Sequence, residues 1–180
     1  MKKINVEVEG KSPLLMNRFR DTSIDSKSKK RTGALQEAIL EDKLYLYDGK
    51  PHIPSIYFRN CIVEAGKQFK ITGKGKSTYS KLVGSTIEVL PENILIKSDG
   101  YKGFRVAAVN PMTKGRMMVN RPRFENWKCR FEIMLHDENV PVEVMNELIQ
   151  HAGSYVGIGD WRPEKKGMFG KFMITSFKVE

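Results

Sequence analysis

The order of hydrophobic patterns along this chain of 180 residues predicts an α+β fold of the ferredoxin-like type, β-α-β-β-α-β, with a basic β-hairpin inserted between strands two and three. Three observations carry that expectation. Apolar residues alternate with polar ones near both termini and again around residue 130, the period of a half-buried strand. Two segments between them repeat their apolar residues at helical spacing, and a long cationic stretch precedes the third strand.

Strand one is expected at residues 3–9, "KINVEVE", where Ile4, Val6 and Val8 share one face. Residues 18–50 read as an excursion after it. Its first half, "RFRDTSIDSKSKKRTG", is polar, charged and turn-rich, so it is expected to be mobile, and "ALQEAILEDKLYLY" reads as a short helix followed by a strand. In "HIPSIYFRNCIVEAGKQFK" Pro54 sets the entry, Ser55 is the expected cap, and Phe58, Ile62, Ala65 and Phe69 form the buried stripe of helix one. After a lysine-rich loop, "TIEVL" and "NILI" read as strand two interrupted at Pro91. Residues 101–126 are the expected hairpin insertion, with "FRVAAV" and "GRMMVNRPRF" as arms around "NPMTKG". "NWKCRFEIML" alternates strictly and is strand three. "PVEVMNELIQHAG" starts at Pro141 and carries Val142, Met145, Leu148 and Ile149 on one side, with Gly153 as its stop, and "KFMITSFKV" closes the chain as strand four. The whole chain, 1–180, reads as a single domain.

Hydrophobic residues make up 40% of the chain, enough for a core without staples. No run approaches a membrane span, the start "MKKINVEVEGK" turns polar too soon for a signal peptide, and the distant Cys61 and Cys129 suggest neither a disulfide framework nor a zinc site. These features predict a cytoplasmic protein with no membrane partner, metal or cofactor. The net charge of +10 predicts attraction to polyanions, and its distribution sharpens that expectation. Between Lys67 and Lys81 there are five lysines and no acid, and between Tyr101 and Arg130 eight cations face the single acid Glu125. Asp137, Glu138, Glu143 and Glu147, in contrast, lie in a stretch with no base.

Two readings stand for the loop "VGIGDWRPEKKGMFGK". Gly157, Gly159 and Gly167 allow close backbone approach, Arg162, Lys165 and Lys166 supply charge, and Trp161 offers a stacking face, a set suited to a phosphate backbone. Equally, it reads as a glycine-rich turn with ordinary surface lysines. It lacks the G-x-x-x-x-G-K-[ST] order of a nucleotide-triphosphate loop. In the hairpin, Arg105, Lys114, Arg116, Arg121 and Arg123 are interleaved with Tyr101, Phe104, Met117, Met118 and Phe124, pairing phosphate-binding groups with faces on which unpaired bases stack. Lys74 and Lys76, between Gly73 and Gly75, fit a second phosphate-tracking loop or a flexible linker.

Residues 53–66 and 157–172 together resemble the paired signature of the RAMP superfamily of CRISPR-associated RNA-binding proteins, especially its backbone-subunit group. The first matches the "IPgSslkGalr"-like helix opening and the second the glycine-rich loop before the last strand. Tyr57 and Asn60 stand where that family has small residues, and "DWRPEKK" spreads the loop. The resemblance implies a modified RNA-recognition-motif fold, a loop that touches the RNA backbone, a protruding hairpin at residues 101–126, and subunits assembled side by side along the strand. It also makes His52, with Tyr57 nearby, the one candidate for a general acid or base in metal-independent RNA cleavage. His136 and His151 read as structural or surface residues.

The expectation is therefore a non-catalytic protein binding single-stranded RNA or DNA, in a CRISPR-type or a phage-like role, as a homo-oligomer or filament on nucleic acid. Its rivals are an endoribonuclease acting through His52 and an interaction module docking a basic protein on the helix that carries Glu143 and Glu147.

Overall fold

The computed structural model describes residues 1–18, 40–109 and 114–180. Most of the expected excursion, residues 19–39, and the hairpin tip, 110–113, lie outside the described residues.

Strand β1 (Lys2–Gly10) buries Ile4, Val6 and Val8 as its alternation requires. It runs between β10 (Phe172–Val179) and β9 (Trp127–Leu135), antiparallel to both. β9 buries every second residue along its length, Trp127, Cys129, Phe131, Ile133 and Leu135. The chain reaches it through β5 (Ile87–Leu90) and β6 (Asn93–Ser98), which pair with different parts of β9 on either side of the break at Pro91. Proline cannot supply a ladder N–H, and the strand divides there. β3 (Leu46–Tyr47) and β4 (Lys50–Pro54) extend the sheet to the order β10-β1-β9-β6-β4-β3. Their tight turn was missed in the sequence although it is Asp48-Gly49, both at positive φ (48° and 72°), the combination that a two-residue hairpin favours.

Helices α1 (Ser55–Ala65) and α3 (Val142–His151) pack on this sheet. From α1, Phe58 enters between Phe131 and Phe172 with ring centroids 4.4 and 5.7 Å away, and Cys61, Ile62 and Ala65 follow it inward. From α3, Met145, Leu148 and Ile149 are buried. Among the described residues no helix is long and apolar enough to cross a membrane.

Four local expectations need correction. Ser55 makes no side-chain cap; Pro54 precedes the helix, and the Ser55 backbone N–H donates to Glu92 instead. Phe69 lies beyond α1, because the chain tightens into a 3₁₀ turn at Gly66–Gln68 and leaves the helix. The lysine-rich stretch does not run directly into strand two: α2 (Tyr79–Thr86) intervenes and buries Val83. Gly153 does not stop α3. A π-helical turn, Ala152–Val156, carries the backbone on until Gly157 ends it at φ 72°.

The expected hairpin arms are β7 (Lys102–Val109) and β8 (Arg116–Phe124). They form a separate three-stranded sheet in the order β2-β8-β7, with β2 at Leu14–Leu15. Together these elements give an α+β architecture of antiparallel sheets and helices, compatible with a fold of the RNA-recognition-motif kind.

Candidate nucleic-acid interface

Tertiary structure brings together two of the three cationic segments. Cross-strand pairing of β7 with β8 sets Lys102, Phe104 and Val106 beside Arg123, Arg121 and Val119 on one face of the hairpin. That face meets the glycine-rich loop. Arg121 Nε donates to Asp160 at 2.7 Å, Phe104 stands edge-on to Trp161 and Phe169 at 6.1 and 5.3 Å, and the Arg123 guanidinium lies 5.4 and 5.9 Å from the centroids of Phe104 and Phe169. β2 is clamped between them: Leu14 and Leu15 pair with Phe124 and Arg123, while the N–H of Asp160 donates to Leu15 and that of Gly170 to Pro13.

The loop folds on itself. Backbone N–H groups of Ile158, Lys165, Lys166, Gly167 and Phe169 all donate to carbonyls within residues 161–170. A Cβ on Gly167 would overlap the Trp161 carbonyl, one on Gly159 the Leu15 carbonyl, and one on Gly157 the Pro163 ring. Close packing of its own chain thus accounts for these glycines, and a ligand is not required to explain them. Trp161 (φ 49°) and Lys166 (φ 62°) are held in left-handed backbone, which non-glycine residues rarely adopt.

Several sequence-predicted cations already have anionic partners. Glu164 accepts from Arg162 and from Lys165, whose hydrogen bond first and the guanidinium next hold its carboxyl below the usual range against the opposing effect of burial. Arg123 pairs with Glu125 at 3.0 Å, and Arg121, with a side chain only 13% exposed, is committed to Asp160. Arg105 is exposed on the opposite hairpin face, opposite Asn120. Lys114, Arg116 and Lys166 are exposed and, among the described residues, form no ion pair. Lys74 and Lys76 are exposed too, on a turn closed by the Lys70–Thr78 bridge. Phe124 cannot stack a base, because it is fully buried against Tyr101 and β2.

Beside this cluster a cleft of about 620 Å³ opens between α1 and the glycine-rich loop. Its walls include Tyr45, Tyr57, Asn60, Lys67, Asp160 and Arg162. The Tyr45 and Tyr57 hydroxyls bond to each other, and burial, with that bond second, raises the Tyr57 phenol well above its ordinary range. Arg121 and Asp160 link the cleft wall to the hairpin root. Lys43, which donates to Asn17, has its pKa lowered by burial and then by Arg121, an effect Asp160 opposes. Sequence reasoning missed Asp160, Phe169 and Lys43 because each acquires its role only through a partner distant in the chain. Asp160 alone gave a signal, as the sole acid amid the "GIGDWR" glycines and arginine.

His52 sits in β4 under the rings of Tyr45 and Tyr47, 7% exposed, with a buried Nδ1 that has no partner among the described residues. Burial, reinforced by the Arg18 guanidinium, holds it below the usual imidazole range. Glu143 and Glu147 are exposed on α3. No cluster of three or more potential metal ligands occurs among the described residues.

No family model matches the sequence, and no curated protein matches it. Solved structures do match the fold. A chain of the Type III-B Cmr-beta complex bound to cognate target RNA superposes with a TM-score of 0.60 at 12% identity, over 99% of this chain and 60% of that one. This chain therefore spans less than two thirds of that relative. Cmr6 from Pyrococcus furiosus gives 0.49 at 10% identity over 97% and 98% of the two chains, and a chain of a Type IV-B CRISPR complex gives 0.48 at 11% over 99% and 90%. These neighbours are CRISPR-associated proteins of the RAMP type, and the likeness to the Cmr-beta chain, at 12% identity, shows a shared fold.

Proposed function

We propose that this chain is a non-catalytic binder of single-stranded nucleic acid, RNA before DNA, that holds the strand along the hairpin and the adjoining cleft. In this reading β10, β1, β9 and the β5–β6 pair are strands four, one, three and two of a ferredoxin-like core, and β7–β8 is the basic insertion. One observation carries it: the cationic hairpin is fastened by Arg121–Asp160 and by the Phe104–Trp161–Phe169 cluster to the wall of a cleft that Lys67 and Arg162 help to line, so the exposed cations toward the hairpin tip and a concave surface belong to one connected face. The shared fold with a subunit of an RNA-bound complex supports the choice of RNA.

Roles differ within the set. Lys114, Arg116 and Lys166 bind phosphates, Trp161 offers its indole to a base, and Arg121, Arg123 and Asp160 hold the platform in place. Assembly along the strand would use the hairpin to span neighbouring copies. Burial of His52 beneath two tyrosines leaves it poorly placed to reach a scissile phosphate. Titration of fluorescent RNA and of DNA of the same sequence across salt concentrations tests the proposal. Binding that weakens linearly with log salt and favours RNA supports it, and absence of binding to both overturns it.

A further inference from the structure

The third cationic segment has an aromatic partner of its own, distinct from the hairpin cluster. The π-helical turn after α3 leaves Tyr155 68% exposed, with its ring packed against that of His151 at 4.7 Å and tilted by 35°. His151 in turn meets Phe69 edge-on at 5.4 Å. Phe69 is the foot of the lysine turn, because the Tyr79 N–H donates to its carbonyl and the Lys70–Thr78 bridge closes the loop immediately beyond it. Lys70, Lys74 and Lys76 are all exposed on that loop. The acids close by in sequence are Glu64, which pairs with Lys67, and Glu147, one helical turn before His151. A surface tyrosine packed against an imidazole, with an exposed lysine turn rooted at the next ring, supplies the two elements that a single strand uses, a face on which an unpaired base stacks and cations that neutralise flanking phosphates.

We propose that Tyr155, backed by His151, is a second base-stacking platform, with Lys70, Lys74 and Lys76 as its phosphate contacts, and that it lengthens the single-strand site beyond the hairpin. The inference rests on the nucleic-acid reading above. Continuity favours it, since Val156, next to Tyr155, and Lys67, two residues before Phe69, both line the cleft.

The test is fluorescence anisotropy with single-stranded RNA of about 6 and about 20 nucleotides, bracketing the usual footprint. Tyr155→Ala is expected to weaken the longer oligonucleotide by about five- to a hundredfold and to change the shorter much less, with Tyr155→Phe close to wild type. Lys74→Ala/Lys76→Ala is expected to lower the salt slope by about 1.4, while Tyr155→Ala leaves it unchanged. Exposure of Tyr155 keeps the fold intact in these variants, which thermal unfolding verifies. If Tyr155→Ala binds the longer RNA as wild type while Lys114→Ala/Arg116→Ala is weakened, the platform is refuted and the hairpin reading stands. If wild type binds neither RNA, both are refuted.

Discussion

Removing Arg121 and removing the pair Lys114 and Arg116 should have opposite signatures, although all three are hairpin cations. Arg121 is 13% exposed and hydrogen-bonded to Asp160 at 2.7 Å, so its charge is already met within the protein. Lys114 and Arg116 are exposed near the hairpin tip. Each phosphate contact to a single strand contributes about 0.7 to the slope of log affinity against log salt, so losing two lowers the slope by about 1.4. From about 50 to about 200 mM salt that difference amounts to roughly a sevenfold change in the ratio of wild-type to variant affinity. Lys114→Ala/Arg116→Ala should therefore be most impaired at low salt. Arg121→Ala should keep the wild-type slope and lose stability instead: breaking a charge-assisted bond between partly buried groups costs about 2 kcal/mol, or about 6 °C in Tm at this chain length. Anisotropy titrations at four salt concentrations, with calorimetry of each variant, separate the two. An Arg121→Ala slope reduced as much as that of the double variant, with unaltered Tm, would refute the division between anchoring and contacting cations.

Gly170→Ala should destabilise the chain more than Gly73→Ala by at least about 1 kcal/mol in urea unfolding, because both sit at positive φ (70° and 78°) but only at Gly170 would the new Cβ overlap a backbone carbonyl, that of Ile158. Truncating Phe58, fully buried between Phe131 and Phe172, is expected to cost about 3–5 kcal/mol and lower Tm by about 10 °C, and a loss under about 1 kcal/mol would contradict its central place in the core. His52 gives a pH test. Its folded-state pKa lies below the unfolded value, so the unfolded chain binds more protons, and its contribution is complete above about pH 6.5 and declines as pH falls toward the folded-state value. His52→Phe should flatten the loss of stability between about pH 7 and about pH 5, and an unaltered profile counts against this origin. Labelled RNA incubated with wild type and with His52→Ala should remain intact in both; cleavage by wild type alone would restore the nuclease reading.

The strands at both ends of the chain and β9 were legible in the sequence because a strand with one buried face writes its period directly into the residues, as Trp127, Cys129, Phe131, Ile133 and Leu135 do. The stripes of α1 and α3 were legible for the same reason, and so were the arms of the basic hairpin. Local endings were less so. Phe69 fits the helical period of α1 yet lies outside it, and Gly153 looks like a stop yet sits inside a π turn, because packing on neighbouring elements decides where a helix gives way.

For the candidate site, the sequence by itself determined which residues carry charge, which are aromatic, and that the cations fall into separate blocks. Only the tertiary structure decided what those charges do. It paired Arg121 with Asp160, Arg162 and Lys165 with Glu164, and filled the glycine positions with the loop's own backbone, while leaving Lys114, Arg116 and Lys166 exposed. The physical reason is range. Periodicity is a property of neighbours along the chain, whereas an arginine's availability depends on whether an acid distant in sequence lies within a few ångströms of it, and folding alone sets that distance.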